Sequence, residues 1–261
     1  MLKGLIVSIA VLVAGAAAAQ DSGLQRLDTG DDGKGWEAVG RLDIDGRGFC
    51  TGALIAPRIV LTAAHCLFDR ETGARVNPER IEFLAGWRNG RASAYRWVRR
   101  AVVHPDYDYS RTEPADRVRN DIALLELQHP IRNTRVIPFQ TDSRPRKGQR
   151  IGVVSYARGR SDAPSLQQVC DVMGRTGGVL VTSCDVDFGA SGAPIFSFEG
   201  GAPRVVSVVS AMAEMQGRKV SLATQLEGPL EDVMALLNGP APRRMFSGGE
   251  QRDTGAKFAK P

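Results

Sequence analysis

Two sets of short apolar runs between residues 39 and 225 constrain the fold of this chain most strongly. The runs are rich in Val, Ile, Leu and aromatic residues, and Gly, Pro, Asn and Asp separate them. Such closely spaced runs predict the strands of an all-β barrel or sandwich. The first set covers residues 39–44, 49–55, 59–62, 81–85, 95–103 and 122–127, and the second covers 150–157, 169–173, 179–182, 194–198, 204–211 and 220–225.

The segments outside these sets divide the chain further. Residues 1–19 combine Lys3, an apolar stretch and a small-residue end, which predicts a cleaved secretory signal, since the stretch is short for a membrane span. The Asp- and Gly-rich residues 20–35 predict a flexible N-terminal segment, and the basic residues 238–261 a disordered tail. Between them we predict two domains, 36–130 and 148–237, joined by a Pro-rich linker over 131–147. Apolar residues at helical spacing predict a short helix over 230–237 at the end of the second domain.

The net charge gives little information about partners. The formal charge is +5, and removal of residues 1–19 would take Lys3 away and leave +4. Because the excess is modest and much of it lies in the tail, it does not predict nucleic-acid binding.

Three short motifs contain residues suited to acyl transfer. They are Leu61-Thr-Ala-Ala-His65-Cys66, Asn120-Asp121-Ile-Ala-Leu-Leu125 and Gly189-Ala-Ser191-Gly-Ala-Pro194. A serine hydroxyl becomes a nucleophile when an imidazole accepts its proton and a buried carboxylate orients that imidazole. Glycines around the serine allow a tight turn in which the N–H groups of Gly189 and Ser191 point into one oxyanion hole.

These motifs resemble those of the chymotrypsin-like serine proteases, and among them the bacterial glutamyl-endopeptidase-like branch. The resemblance implies two six-stranded antiparallel β-barrels with the site in the cleft between them. It implies His65 as general base, Asp121 as its orienting carboxylate and Ser191 as nucleophile, with a protein or peptide substrate and no cofactor. We also expect a monomer that is secreted or periplasmic.

One residue departs from the animal digestive members of this family. In those enzymes an Asp before the catalytic serine pairs with a newly cleaved N-terminus and thereby activates the enzyme. Ala190 stands at that position here, so this ion pair cannot form.

The four cysteines allow three disulfide pairings, and their even number fits an oxidising compartment. The resemblance implies Cys50–Cys66 behind the histidine, which leaves Cys170 and Cys184 to pair. A zinc site is disfavoured because the chain has no CxxC motif and only three histidines.

Substrate preference is predicted from the segment before the serine and from the strand that should face it. Asp185 lies six residues before Ser191, the spacing at which trypsin-like enzymes bind Arg or Lys, and Ser210 lies in the facing strand. We expect cleavage after basic residues, with small or apolar residues as the alternative. The glutamyl enzymes of the resembled family use a histidine near this facing strand. No histidine follows His129 in this chain, so glutamate specificity is disfavoured.

Two other functions compete with a protease. A non-catalytic member of the same fold could bind a protein partner through its cleft, although such a protein has no need of all three groups. An esterase of the α/β-hydrolase type is disfavoured by the order His, Asp, Ser and by the lack of a βαβ pattern.

Overall fold

The computed structural model describes residues 23–142 and 145–239, and this part of the chain forms two closed six-stranded antiparallel β-barrels. The all-β prediction is therefore confirmed. The predicted signal over 1–19 and the predicted tail beyond residue 239 lie outside the described residues. The strands are β1 (Leu24–Arg26), β2 (Val39–Ile44), β3 (Gly48–Ala56), β4 (Ile59–Thr62), β5 (Ile81–Ala85), β6 (Ala94–Val103), β7 (Ala123–Leu127), β8 (Arg150–Ala157), β9 (Arg160–Thr176), β10 (Val179–Thr182), β11 (Pro194–Ser197), β12 (Arg204–Met215) and β13 (Arg218–Gln225).

The first barrel has the strand order β2-β3-β4-β7-β6-β5 and closes where β2 pairs with β5. The second has the order β8-β9-β10-β13-β12-β11 and closes through the pairing of β8 with both β9 and β11. Inward-facing side chains such as Leu42, Phe83 and Leu125 fill the first barrel and are fully buried. Closure leaves neither barrel with a bare edge strand in its wall.

Strands β1, β9 and β12 differ from the sequence prediction, and β12 runs to Met215 instead of ending at 211. We predicted only 169–173 as a strand, whereas β9 is 17 residues long. Its first half is polar, but its backbone pairs with β8 from Ala157↔Arg160 onward, so hydrogen bonding continues without an apolar pattern.

The N-terminal segment is also more ordered than predicted. We predicted a flexible segment over 20–35, whereas β1 pairs with β9 and Leu27 is only 1% exposed. One buried leucine and a partner strand hold this stretch, and the Asp- and Gly-rich composition hides both.

Helices are few in the described residues. Single turns of 3-10 helix occur at Ala64–Leu67 and Pro78–Arg80, and α-helices are α1 (Pro114–Arg119) and α2 (Pro229–Asn238). Helix α2 agrees with the predicted helix over 230–237 and packs on the first barrel through Val233 and Leu237. His104, almost fully buried, lies 3.3 Å from the Asp232 carboxylate of α2. No helix of the described residues is long and apolar enough to cross a membrane.

The two barrels share one apolar core at their junction. Trp36 precedes the first barrel, Phe139 lies in the predicted linker and Phe196 lies in β11 of the second barrel. The ring centroids of Trp36 and Phe196 are 5.0 Å apart, and those of Phe139 and Phe196 are 4.7 Å apart. Burial of such rings drives the barrels together.

Two disulfides occur in the structure, Cys50–Cys66 and Cys170–Cys184. We expect replacement of Cys170 and Cys184 by Ser to lower the free energy of unfolding by about 3 kcal/mol, because the unfolded chain gains loop entropy. Urea unfolding of both forms measures the difference. Non-reducing peptide mapping should recover the same two pairs, and a peptide joining Cys66 to Cys170 would contradict this pairing.

Candidate active site

His65 stands at the mouth of the first barrel, directly after β4. Ala63 and Ala64 are fully buried, and Cys66 is bonded to Cys50, so the backbone on both sides of His65 is fixed. The His65 side chain itself is 17% exposed. Small buried neighbours thus hold the imidazole at the surface of the cleft.

Asp121 orients this imidazole through two contacts. It lies between α1 and β7 and its side chain is 2% exposed. Its Oδ1 accepts the backbone N–H of His65 at 2.8 Å, and its Oδ2 lies 2.6 Å from His65 Nδ1. An ionised carboxylate can only accept, so Nδ1 carries the proton and Nε2 keeps its lone pair toward the cleft.

Ser210 contacts this carboxylate. The sequence prediction places Ser210 in the substrate pocket, and in the structure its hydroxyl donates to Asp121 Oδ2. The register of β12 against β13 shifts between Val209 and Ala211, which makes Ser210 the extra residue of a bulge. A bulge redirects the side chain that it carries, and a sequence pattern does not show where a bulge falls.

Ser191 lies in a tight turn whose glycines have no room for a side chain. Gly189 and Gly192 have φ of +98° and +76°, which glycine adopts without strain. A Cβ on Gly192 would lie 2.4 Å from the Thr51 carbonyl oxygen, and one on Gly189 would lie 2.3 Å from the Phe49 ring. The turn is therefore pressed against the first barrel.

The peptide N–H groups of Gly189 and Ser191 have no acceptor in the described part of the chain. The carbonyl of Phe188 accepts the N–H of Arg158 at 2.7 Å. Since the C=O and N–H of a trans peptide point in opposite directions, the Gly189 N–H points away from Arg158. Two unpaired donors beside Ser191 are what an oxyanion hole requires.

The Ser191 hydroxyl makes no hydrogen bond to His65 or to any other described residue. The structure therefore brings His65 and Asp121 into direct contact and leaves the contact between Ser191 and His65 open. Such contacts are often long in unliganded sites and shorten when substrate binds.

Comparisons with known proteins agree with this arrangement. The family model described as Trypsin matches residues 30–228. The chain belongs to the trypsin family. Serine protease 23 of Mus musculus is 32% identical over 165 residues, which cover 56% of this chain and 42% of that protein. Complement C1r-B subcomponent of Mus musculus is 37% identical over 84 residues, which cover 31% of this chain and 12% of that protein.

The chain thus spans well under half the length of these curated relatives. Among solved structures, a Glu endopeptidase in complex with MPD superimposes with a TM-score of 0.67 at 16% identity, covering 84% of this chain and 97% of that chain. At this identity the likeness shows the fold, which is that of the chymotrypsin-like proteases.

A buried alanine and a disulfide lie next to the candidate residues of this trypsin-family site. Ala190, at the position of the activating Asp, is fully buried in the core of the second barrel and donates its N–H to the Asp187 carbonyl. The three atoms of Cys50, His65 and Cys66 that could bind a metal lie within 4.8 Å of one another, but both sulfurs are in the disulfide and cannot act as thiolate ligands.

Asp185 lies beside a cation of the protein itself. It is half-buried, and its N–H donates to Gln167 Oε1 at 2.7 Å. The guanidinium of Arg160 donates to the Ser155 carbonyl at 3.0 Å. Burial lowers the pKa of Arg160, and the negative charges of Asp185 and Asp187 oppose that shift. Arg160 and Asp185 therefore attract each other within the folded chain.

Thr51 of β3 connects the serine turn to the first barrel, and sequence reasoning missed it. Its N–H donates to the Ser191 carbonyl at 2.9 Å, and its hydroxyl donates to the Gly189 carbonyl at 2.9 Å. The same hydroxyl accepts the N–H of Tyr156 at 3.1 Å. Thr51 is fully buried and lies 138 positions from Gly189, so only its place beside Cys50 could have drawn attention to it.

We expect Thr51→Val to loosen the serine turn. The change keeps the shape of the side chain but leaves the buried Gly189 carbonyl and Tyr156 N–H without a partner, which should lower the free energy of unfolding by about 1–3 kcal/mol. Labelling of Ser191 by a phosphonylating reagent should slow by about tenfold as the turn shifts. Thr51→Ser should recover most of both losses. Equal labelling rates in Thr51→Val and the wild type would show that the hydroxyl does not position the turn.

Proposed function

We propose that this chain is a serine endopeptidase that cleaves protein or peptide substrates through an acyl-enzyme. The observation that carries the proposal is the His65–Asp121 pair facing a turn that presents Ser191 beside two unpaired N–H groups. Family membership supports the reaction class, and the geometry supports the role of each residue.

In the proposed reaction the Ser191 Oγ attacks the scissile carbonyl carbon while His65 Nε2 accepts the hydroxyl proton. The carbonyl oxygen becomes an oxyanion, which the N–H groups of Gly189 and Ser191 bind. His65 then protonates the leaving amine as the C–N bond breaks, and the acyl group stays on Ser191. Water, activated by the same Nε2, hydrolyses this ester and regenerates the enzyme.

Asp121 stabilises the imidazolium that forms in each step and keeps its own negative charge. Its contacts to the His65 N–H and the Ser210 hydroxyl compensate for burial of the charge. The proton on Nδ1 thus stays in place while Nε2 gains and loses one.

A binding protein of the same fold is the second candidate. The open contact between Ser191 and His65 favours it, since a protein that only binds does not need the nucleophile activated. The burial of the Asp121 carboxylate argues against it. Burying this charge is costly, and its donors are the His65 N–H, the His65 ring and the Ser210 hydroxyl, an arrangement that a protein that only binds does not need.

The two disulfides and the signal-like sequence at residues 1–19 support a secreted or periplasmic location. Activation should not use a newly cleaved N-terminus paired to the residue before Ser191, because that residue is Ala190.

The triad is tested by removing its members singly and together. Ser191→Ala and His65→Ala should each lower kcat by up to about 10⁶, and the double variant should be little worse, because nucleophile and base act as a unit. His129→Ala and Ser110→Ala, both at exposed positions, are the matched controls. Release of a fluorescent group from peptide substrates and mass spectrometry of the phosphonylated protein provide the readouts.

An oxidised wild-type protein that hydrolyses neither peptides nor esters, and whose Ser191 resists the phosphonylating reagent, would exclude the endopeptidase. The binding protein would then be the remaining candidate. Labelling of a serine other than Ser191 would assign the nucleophile elsewhere.

Selection of basic residues by Asp185 is a separate prediction. If its carboxylate faces the pocket, Asp185→Ser should lower kcat/KM for Arg and Lys substrates by about 10². The value for small apolar substrates should stay nearly unchanged. The reason is that a carboxylate in the pocket pairs with a cationic side chain and is left unpaired by any other. Asp171→Ser, on an exposed part of β9, is the control. A wild type that prefers Ala, Val or Leu would show that Asp185 does not select the substrate.

A further inference from the structure

A cleft of about 730 Å³ adjoins the candidate site on the side of the Cys50–Cys66 disulfide. His65 and Gly189 both line it, so it begins at the proposed general base and at the turn that carries Ser191. From there it runs along Phe49 and Phe188 to the segment after the 3-10 helix, where Arg70 lies.

The position of the cleft indicates which part of a substrate it receives. Asp185 and Ser210, which the sequence prediction places on the side of the acyl group, are not among the residues that line it. His65 protonates the leaving amine, and the cleft extends from His65 away from that acyl side. The chain that continues from the leaving amine therefore enters the cleft.

Two arginines contact the cleft wall next to the turn that carries Ser191. The guanidinium carbon of Arg158 lies 4.7 Å from the ring centroid of Phe188, and that of Arg70 lies 5.8 Å from the same centroid. Among the described residues neither guanidinium has a carboxylate within 4.0 Å. Stacking on one ring fixes both groups without neutralising either.

The acids of the cleft are mostly engaged elsewhere. Asp45 pairs with Arg80 at 2.5 Å, and Asp69 accepts the Thr72 N–H at 2.8 Å and lies 3.4 Å from Arg47. Glu71 has no cation within pairing distance in the described residues, and it is exposed to solvent. Asp187 also lies beside Phe188, where its carboxylate accepts the Phe188 N–H at 2.6 Å and interacts with the charge of Arg160. With Arg70 and Arg158 on the same ring, the balance of charge beside Phe188 is positive.

We propose that this cleft binds the residues that follow the scissile bond and that Arg70 and Arg158 select an acidic side chain at the first or second of them. The inference rests on the proposed endopeptidase function. A carboxylate there meets planar guanidinium groups that can bind it in a bidentate way, whereas a lysine meets like charge. The Phe49 and Phe188 rings cover the aliphatic part of the incoming residue.

The test compares internally quenched peptides that all have the same residues before the scissile bond. These residues are taken from the best substrate of the wild type. The first two positions after the scissile bond carry Glu, Ala or Lys. Rates are normalised to the concentration of Ser191 that the phosphonylating reagent titrates. The wild type should prefer Glu over Lys by about fivefold or more in kcat/KM, the size expected for two partly exposed pairs. Salt at about 0.5 M should reduce this ratio by screening.

Arg70→Gln with Arg158→Gln should bring the Glu-to-Lys ratio close to one. Arg158→Lys, which keeps the charge, should retain a preference for Glu, and Arg218→Gln on the distant hairpin of β12 and β13 should keep the wild-type ratio. Equal rates on Glu and Lys peptides in the wild type, or a ratio unchanged in the double variant, would overturn the assignment.

A binding measurement separates this inference from the proposed function. Ser191→Ala is titrated with labelled peptides that represent the leaving-group side, one with two Glu and one with two Lys, and fluorescence anisotropy is recorded. Tighter binding of the acidic peptide, lost in the double arginine variant, supports the cleft even if the wild type hydrolyses nothing. Hydrolysis by the wild type with equal binding of both peptides would leave the endopeptidase in place and refute the cleft.

Discussion

The candidate site depends on two consecutive residues of β3, because one of them fixes the segment of His65 and the other fixes the turn of Ser191. Cys50 is bonded to Cys66, the neighbour of His65, and Thr51 holds Ser191 and Gly189 by its N–H and its hydroxyl. Successive side chains of a strand point to opposite faces, so one short piece of backbone reaches both sides of the cleft. The distance between His65 and Ser191 is thereby set by local strand geometry, even though the two residues belong to different barrels.

The Asp121 carboxylate adds a second connection between the barrels. It belongs to the first barrel, but Ser210 of β12 donates to it, and Thr224 of β13 donates to the carbonyl of Val118 at 2.6 Å. Burying a charge is unfavourable unless donors surround it, and here one of those donors, the Ser210 hydroxyl, arrives only when the barrels dock. Docking of the barrels and orientation of His65 are consequently coupled. Damage to the junction should disturb the base as well as the stability.

The sequence was informative wherever a local pattern determines the structure. Apolar runs located most strands within a residue or two, and the small residues around His65 and Ser191 indicated which side chains would face a cleft. It was uninformative for contacts that depend on where the chain returns in space. Thr51 and Gly189 are 138 positions apart, and Ser210 reaches Asp121 across 89 positions through a bulge that no composition signals. The polar half of β9 and the strand β1 were missed because backbone pairing alone defines them.

The shape of the serine turn has a consequence for activation. In a site that relies on an ion pair with a new N-terminus, the turn is completed by a group that appears only after cleavage. Here the Phe188 carbonyl is held by the Arg158 N–H and the Gly189 carbonyl by the Thr51 hydroxyl, and both donors lie within the folded barrels. Ala190 packs into the apolar core, where a carboxylate would require a buried cation. Hydrogen bonds inside the chain thus fix the two N–H groups that face the cleft, and the conformation of the turn does not depend on a charge supplied from elsewhere.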